Sequence, residues 1–159
     1  MRGLAYLLAP ALIAAAPPFD RSPTMHAIGT FTVEITPEAQ ADAPAGGLPT
    51  ARMGIAKTFT GGMTGTATGT MLSAGAPKPG QAGAYVAVDQ FTGTVDGHGG
   101  GFALLHRGTI DKAGTADLSV VIAPDTGTGA LAGIAGTFGI EIEGGVHRYD
   151  LTYTLPAKP

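Results

Sequence analysis

Met63-Thr-Gly-Thr-Ala-Thr-Gly-Thr-Met-Leu72 decides the fold. Thr64, Thr66, Thr68 and Thr70 fall on one face, and Met63, Gly65, Ala67, Gly69 and Met71 on the other. Successive side chains of a strand point to opposite faces, so this is the period of a strand with one polar and one small, apolar side. Working outward, the same period recurs at 28–35, 85–94, 101–110, 116–123, 137–143 and 146–155, with a short strand expected at Ile55–Thr60. Between these segments stand turn formers: Gly61-Gly62, Pro77-Lys-Pro-Gly80, Asp96-Gly97, Asp111-Lys-Ala-Gly114 and Gly144-Gly145. Glycine interrupts every interior window long enough for a helix of ten residues, at about 1 kcal/mol each relative to alanine.

About eight short strands joined by tight turns predict an all-β domain, as an antiparallel sandwich or a closed barrel. Glycines inside strands (Gly65, Gly69, Gly93, Gly101, Gly108, Gly139) suit the bends by which a sheet closes on itself. A closed eight-stranded antiparallel barrel is therefore the expectation, with a β-sandwich as the alternative. Residues 37–50, rich in Pro, Ala and Gly, are expected to be irregular and to lie over one mouth.

The chain has 159 residues, which fits one domain. Its 44% apolar content and 13% charged content exclude general disorder. Twenty-six glycines without a three-residue period exclude collagen. No cysteine means no disulfide, thiol nucleophile or zinc–thiolate site. A net charge of −3, with nine basic residues never clustered, argues against nucleic acid and against an anionic membrane surface.

Residues 1–16 are organised differently from the rest. Arg2 precedes an apolar run ending in Ala14-Ala15-Ala16, the order of a secretory signal peptide, so an exported protein without membrane attachment is expected. Residues 17–25 form a proline-rich tether, residues 26–156 a single barrel domain and residues 157–159 a tail.

Several segments together resemble a known family. They are Ala56-Lys-Thr-Phe-Thr-Gly-Gly-Met63, Tyr85-Val-Ala-Val-Asp-Gln-Phe-Thr-Gly93, Gly101-Phe-Ala-Leu-Leu-His-Arg-Gly108, Gly127-Thr-Gly-Ala-Leu-Ala-Gly-Ile-Ala-Gly136 and Gly145-Val-His-Arg-Tyr-Asp-Leu-Thr-Tyr153. Their order over residues 26–156 is similar to that of a bacterial domain family of unknown function with the allene-oxide-cyclase-like barrel. The resemblance implies eight antiparallel strands, frequent self-association into a homo-oligomer, and no assigned reaction. The chain departs from the family at Asp89, where glutamate is usual.

Alternation also sorts the polar residues. His106 shares a face with Phe102 and Leu104; Asp89 with Tyr85, Ala87 and Phe91; His147 and Tyr149 with Leu151, Tyr153 and Leu155. Arg107, Arg148, Asp150, Glu141 and Glu143 fall on the opposite faces and are expected in solvent. Asp89 and His106 are thus candidate acid–base residues inside an apolar lumen, where burial and a charged neighbour tune proton affinity. Tyr85, Phe102, Leu104, His147, Tyr149 and Tyr153 are candidate ligand-binding residues. The competing reading is a satisfied polar plug, since buried polar groups are usually just paired. No local His spacing supports a metal site, and no cofactor is expected. Asp125-Thr-Gly127 matches a protease triplet by three residues only, without a second copy.

Two function classes follow, with a third behind them. The first is a binding module for an apolar or aromatic small molecule, as small barrels commonly are. The second is a cofactor-free isomerase or cyclase using Asp89 or His106. The third is a structural domain with a filled lumen that self-associates through its outer face.

Overall fold

The computed structural model describes residues 22–75 and 80–157. Residues 1–16, expected to be a signal peptide, and most of the expected tether lie outside the described residues. The strands are β1 (Met25–Ala41), β2 (Thr50–Gly61), β3 (Met63–Gly75), β4 (Gly83–Val95), β5 (His98–Ile110), β6 (Ala116–Ile122), β7 (Ala135–Glu143) and β8 (Val146–Thr154). Each pairs antiparallel with the next, and β8 returns to β1 from Met25↔Tyr153 to Phe31↔His147. The result is a closed barrel, not a sandwich.

The threonines of β3 all face solvent, while Met63 and Ala67 are buried. The irregular stretch expected at 37–50 is narrower than that, and the short strand expected at Ile55–Thr60 is longer. β2 begins at Thr50 rather than Ile55, and β1 runs on to Ala41 with its register shifted between Pro37 and Ala39. Pro37 still pairs with Met53; Glu38 is the extra residue of a bulge beside the proline, and pairing continues at Ala39↔Arg52. Only 42–49 remains as loop.

The two ends of the barrel differ. One end holds the chain termini and the β2–β3, β4–β5 and β6–β7 connections. It is packed by Phe59, Met63, Phe91, Val95, Phe102, Leu151 and Tyr153, all buried. Leu131 and Ile134, from the β6–β7 connection with its single 3-10 turn at Gly129–Leu131, plug it. That connection runs along β5: the Thr128 amide donates to the Gly101 carbonyl at 2.8 Å, and the Gly101 amide donates to Thr128 Oγ1 at 2.9 Å. Gly100 permits this approach, because a Cβ there would lie 2.0 Å from the Thr128 carbonyl oxygen. Each large apolar side chain buried here stabilises the fold by about 1.5–3 kcal/mol.

The other end is open. Ile35, Leu118 and Ile142 share the lumen-facing parity of their strands, yet stand 49%, 41% and 63% exposed. On one side the wall is also thin, since β6 and β7 share the single pair Val121↔Thr137. Towards the open end the two strands are not laddered, leaving a seam in the barrel.

Candidate functional site

Midway along the barrel, β2, β4 and β5 bring three ionisable side chains together inside. Lys57 follows from the alternation Ile55, Lys57, Phe59, all three buried. Asp89 is fully buried between Ala87 and Phe91 on β4, and His106 is buried beyond Leu104 on β5. Lys57 Nζ donates to Asp89 Oδ2 at 2.5 Å, and His106 Nε2 lies 3.1 Å from the same oxygen.

Small residues on β3 make the reach possible. β3 separates β2 from β4, and it opposes Lys57 with Ala67 and Asp89 with Gly69. Larger side chains at those positions would fill the path that the lysine takes across the strand. The Lys57 ammonium also stands 5.5 Å from the centre of the Phe31 ring, a cation–π distance.

Satisfaction of this cluster is incomplete. Asp89 Oδ1 and His106 Nε2 are buried without a hydrogen-bond partner. Nε2 is close to Oδ2 but off the line that a directed N–H bond requires, so their contact is one of charge and proximity. Burial pushes the Asp89 carboxyl up; the adjoining His106 and Lys57 outweigh it and hold the group below its ordinary value. Asp89 is therefore a carboxylate at neutral pH, with one oxygen shared by two basic groups and the other oxygen unused.

Tyr85 lies between this cluster and the open rim. Its ring covers Gly108 on β5, where a Cβ would meet the ring at 2.1 Å. Burial, and then the negative charge of Asp89, raise its hydroxyl above the usual phenol value. Above it opens a rim pocket of about 620 Å³, lined by Tyr85 together with Ala51, Ser73, Ala84, Arg107 and Gly108. The pocket does not touch Lys57, Asp89 or His106; Tyr85 is the side chain that meets both environments.

The remaining residues singled out in the sequence fall elsewhere. Phe102, Leu104, Tyr149 and Tyr153 belong to the packed core. Tyr149 Oη accepts from the Met63 amide at 2.7 Å and donates to the Thr60 carbonyl at 3.2 Å, pinning β8 to the β2–β3 turn. Tyr153 donates to Asp96 Oδ2 at 2.7 Å; burial and that carboxylate push its hydroxyl up to about 12. His147 lies against Phe31 with ring centres 5.0 Å apart and planes tilted by 42°, and it is only half-buried. Phe31 thus lies between His147 and Lys57, on a floor shared with Phe59 and Phe138. The outward residues are solvated as expected: Arg107 pairs with Asp117, and Asp150 with His26.

Lys57 is a member of this cluster beyond the sequence candidates Asp89 and His106, and its position carries a signal of its own. Its even spacing between Ile55 and Phe59 puts it on the lumen side. Among the described residues no group of three or more His, Asp or Glu side chains is placed to hold a metal ion.

Residues 27–153 match a family described as "Protein of unknown function (DUF3224)". Among solved structures, the chain resembles a protein of unknown function from the DUF3224 family of Shewanella oneidensis MR-1. The two are 34% identical, with a TM-score of 0.76 over 85% of this chain and 100% of the other. No curated protein matches the chain.

Proposed function

Because the chain belongs to the DUF3224 family, whose function is unknown, we propose from the geometry alone that the barrel binds an apolar or aromatic small molecule through its open end. One observation carries this reading: the barrel is packed solid at one end only. At the other, lumen-facing Ile35, Leu118 and Ile142 remain exposed above the buried Lys57–Asp89–His106 cluster. An apolar wall with a few convergent polar groups is the usual make-up of a ligand site. Titrating the full chain with aryl fragments, followed by amide and methyl NMR shifts, tests it. Shifts gathered at Tyr85, His106 and Ile142 are expected; shifts scattered over the outer face, or none, would remove the proposal.

A second reading of the same lumen is acid–base catalysis without a cofactor. It is favoured by the unpartnered Asp89 Oδ1 and His106 Nε2, because buried polar atoms left unmatched are costly unless a ligand or water meets them. Asp89→Asn separates the two readings. A binder keeps nearly all its affinity, whereas an enzyme loses about 10²–10⁴ in rate.

Self-association is a further proposal and rests on the outer face. There Leu72 pairs with Val86 and Val88 with Leu105, and all four are exposed. Leu72→Glu should shift a homo-oligomer to monomer in sedimentation, and an unchanged mass would remove this reading.

A further inference from the structure

We infer that the lumen is built for enolisable carbonyl compounds, with Lys57 holding the carbonyl oxygen and His106 moving the proton on the adjacent carbon. The inference rests on the lumen-binding reading and names its substrate class. Lys57 Nζ donates to Asp89 Oδ2 at 2.5 Å and His106 Nε2 lies 3.1 Å from the same oxygen, so an ammonium and an imidazole are brought side by side by one carboxylate oxygen. A carbonyl compound needs such a pair, a cation for its oxygen and a base for the carbon beside it. The surroundings are apolar (Ile55, Phe31, Phe59, Ala67, Ala87), where a fixed cation stabilises a developing oxyanion far more than in water.

The step balances without a co-reactant. With Nε2 beside the Asp89 carboxylate, the proton on the neutral ring is favoured there, and Nδ1 is the nitrogen left with a lone pair. Nδ1 takes the α-proton; the C–H electron pair becomes the C=C bond, and the carbonyl π pair moves to the oxygen beside the Lys57 ammonium. The imidazolium so formed is compensated by Asp89, as in other carboxylate–histidine pairs. Return of the proton to oxygen, to the same carbon or to a second carbon completes a tautomerisation or isomerisation. Asp89 acts as a positioning residue: it holds Lys57 by a hydrogen bond and His106 by charge, and touches neither reacting atom.

The alternative use of such a lysine is as a plain counter-ion to Asp89. That arrangement needs one cation, yet two basic side chains meet the same oxygen while the other oxygen has no partner.

The test uses the full chain in deuterated buffer with three probes of graded size: phenylacetone, 2-indanone and 2-tetralone. Loss of the α-proton signals gives exchange, and saturation transfer gives binding. The expected result is exchange above buffer for at least one bound ketone. Lys57→Met and His106→Gln should each cut it by about 10²–10⁴ while saturation transfer persists. Asp89→Asn should lower exchange and Asp89→Glu restore part of it, a rescue that a merely structural carboxylate would not give. Should Lys57→Met lose the barrel's near-UV spectrum, Lys57→Gln takes its place. Bound ketone with no exchange, or exchange unchanged in both the lysine and the histidine variants, overturns the inference and leaves the binding reading standing. Absence of both binding and exchange for all three ketones overturns both.

Discussion

Gly69 stands directly opposite Asp89 on the β3–β4 ladder, and a Cβ on Gly69 would lie 2.5 Å from Asp89 Oδ1. The same atom would meet the Val88 carbonyl oxygen at 2.3 Å, and that is backbone that cannot swing away. The glycine keeps clear the space beside the unused oxygen of the carboxylate. Gly69→Ala is therefore expected to cost about 1–3 kcal/mol, the usual range for overpacking a filled site. It should also disturb any ligand signal at His106 more than at the rim. Urea unfolding followed by NMR of the variant checks both; a variant as stable as the parent would show that β3 can yield here.

Lys57 and Asp89 are expected to be strongly non-additive. Removing the lysine alone, as in Lys57→Met, leaves a buried carboxylate with only an off-axis histidine beside it, and should cost about 3–5 kcal/mol. Lys57→Met with Asp89→Leu removes both charges, and should recover most of that loss. A double-mutant cycle read by chemical denaturation measures the coupling. Additive losses would mean that the pair contributes nothing as a pair.

Acid should act through the same carboxylate. The Asp89 carboxyl is held below its ordinary value in the fold, and burial alone would have raised it. Its contribution is therefore fully present above the unfolded value of about 3.9 and is lost as pH falls through the lower folded value. Stability of the parent should fall with acid below about pH 5, and Asp89→Asn should flatten part of that slope. Denaturation midpoints measured from pH 6 down to pH 2 decide it, and superimposable slopes would assign acid sensitivity to other carboxylates.

Much of this arrangement is visible in the alternation. Period two correctly sends Asp89, His106, Tyr85 and Tyr149 inward and Arg107 and Asp150 outward, because a strand offers only two faces. It also marks β3 as the strand of small inward residues. What it does not carry is depth. Tyr85 and Tyr153 have the same parity character, yet one lies at the open rim and the other in the plugged end. The difference comes from strand stagger and from the β6–β7 connection folding under the barrel. Lys57 shows the opposite limitation. Its position is legible between Ile55 and Phe59, but a lysine pointing inward makes sense only once Asp89 is known to lie across the two small β3 residues. The bulge at Glu38, beside Pro37, follows the same logic, since pairing continues where the partner strand β2 extends to meet it.

Tyr153 gives an alkaline counterpart. Its hydroxyl donates to Asp96 and is raised to about 12 by burial and that charge. A group raised in the fold contributes stability that is complete below the unfolded value of about 10 and is lost as pH climbs through the folded value. The phenolate absorbance near 295 nm should therefore show Tyr153 ionising late, together with unfolding. Tyr153→Phe should delete that late component. An unchanged late component would place it on another tyrosine.

The β6–β7 seam is the weakest part of the wall, and it flanks His106, whose ladder partner on β6 is Val120. With one bridge pair between them, the facing edges of β6 and β7 protect few amides, while β3 and β4 are laddered from Met63↔Val95 to Gly75↔Gly83. Amide hydrogen exchange of peptides covering 116–121 and 138–143 should run at least tenfold faster than that of peptides covering 64–72 or 86–94. If the lumen is entered through this seam, a bound aryl ketone should slow exchange at 116–121 and leave 64–72 unchanged. Protection confined to the rim residues near Tyr85 would instead assign entry to the open end.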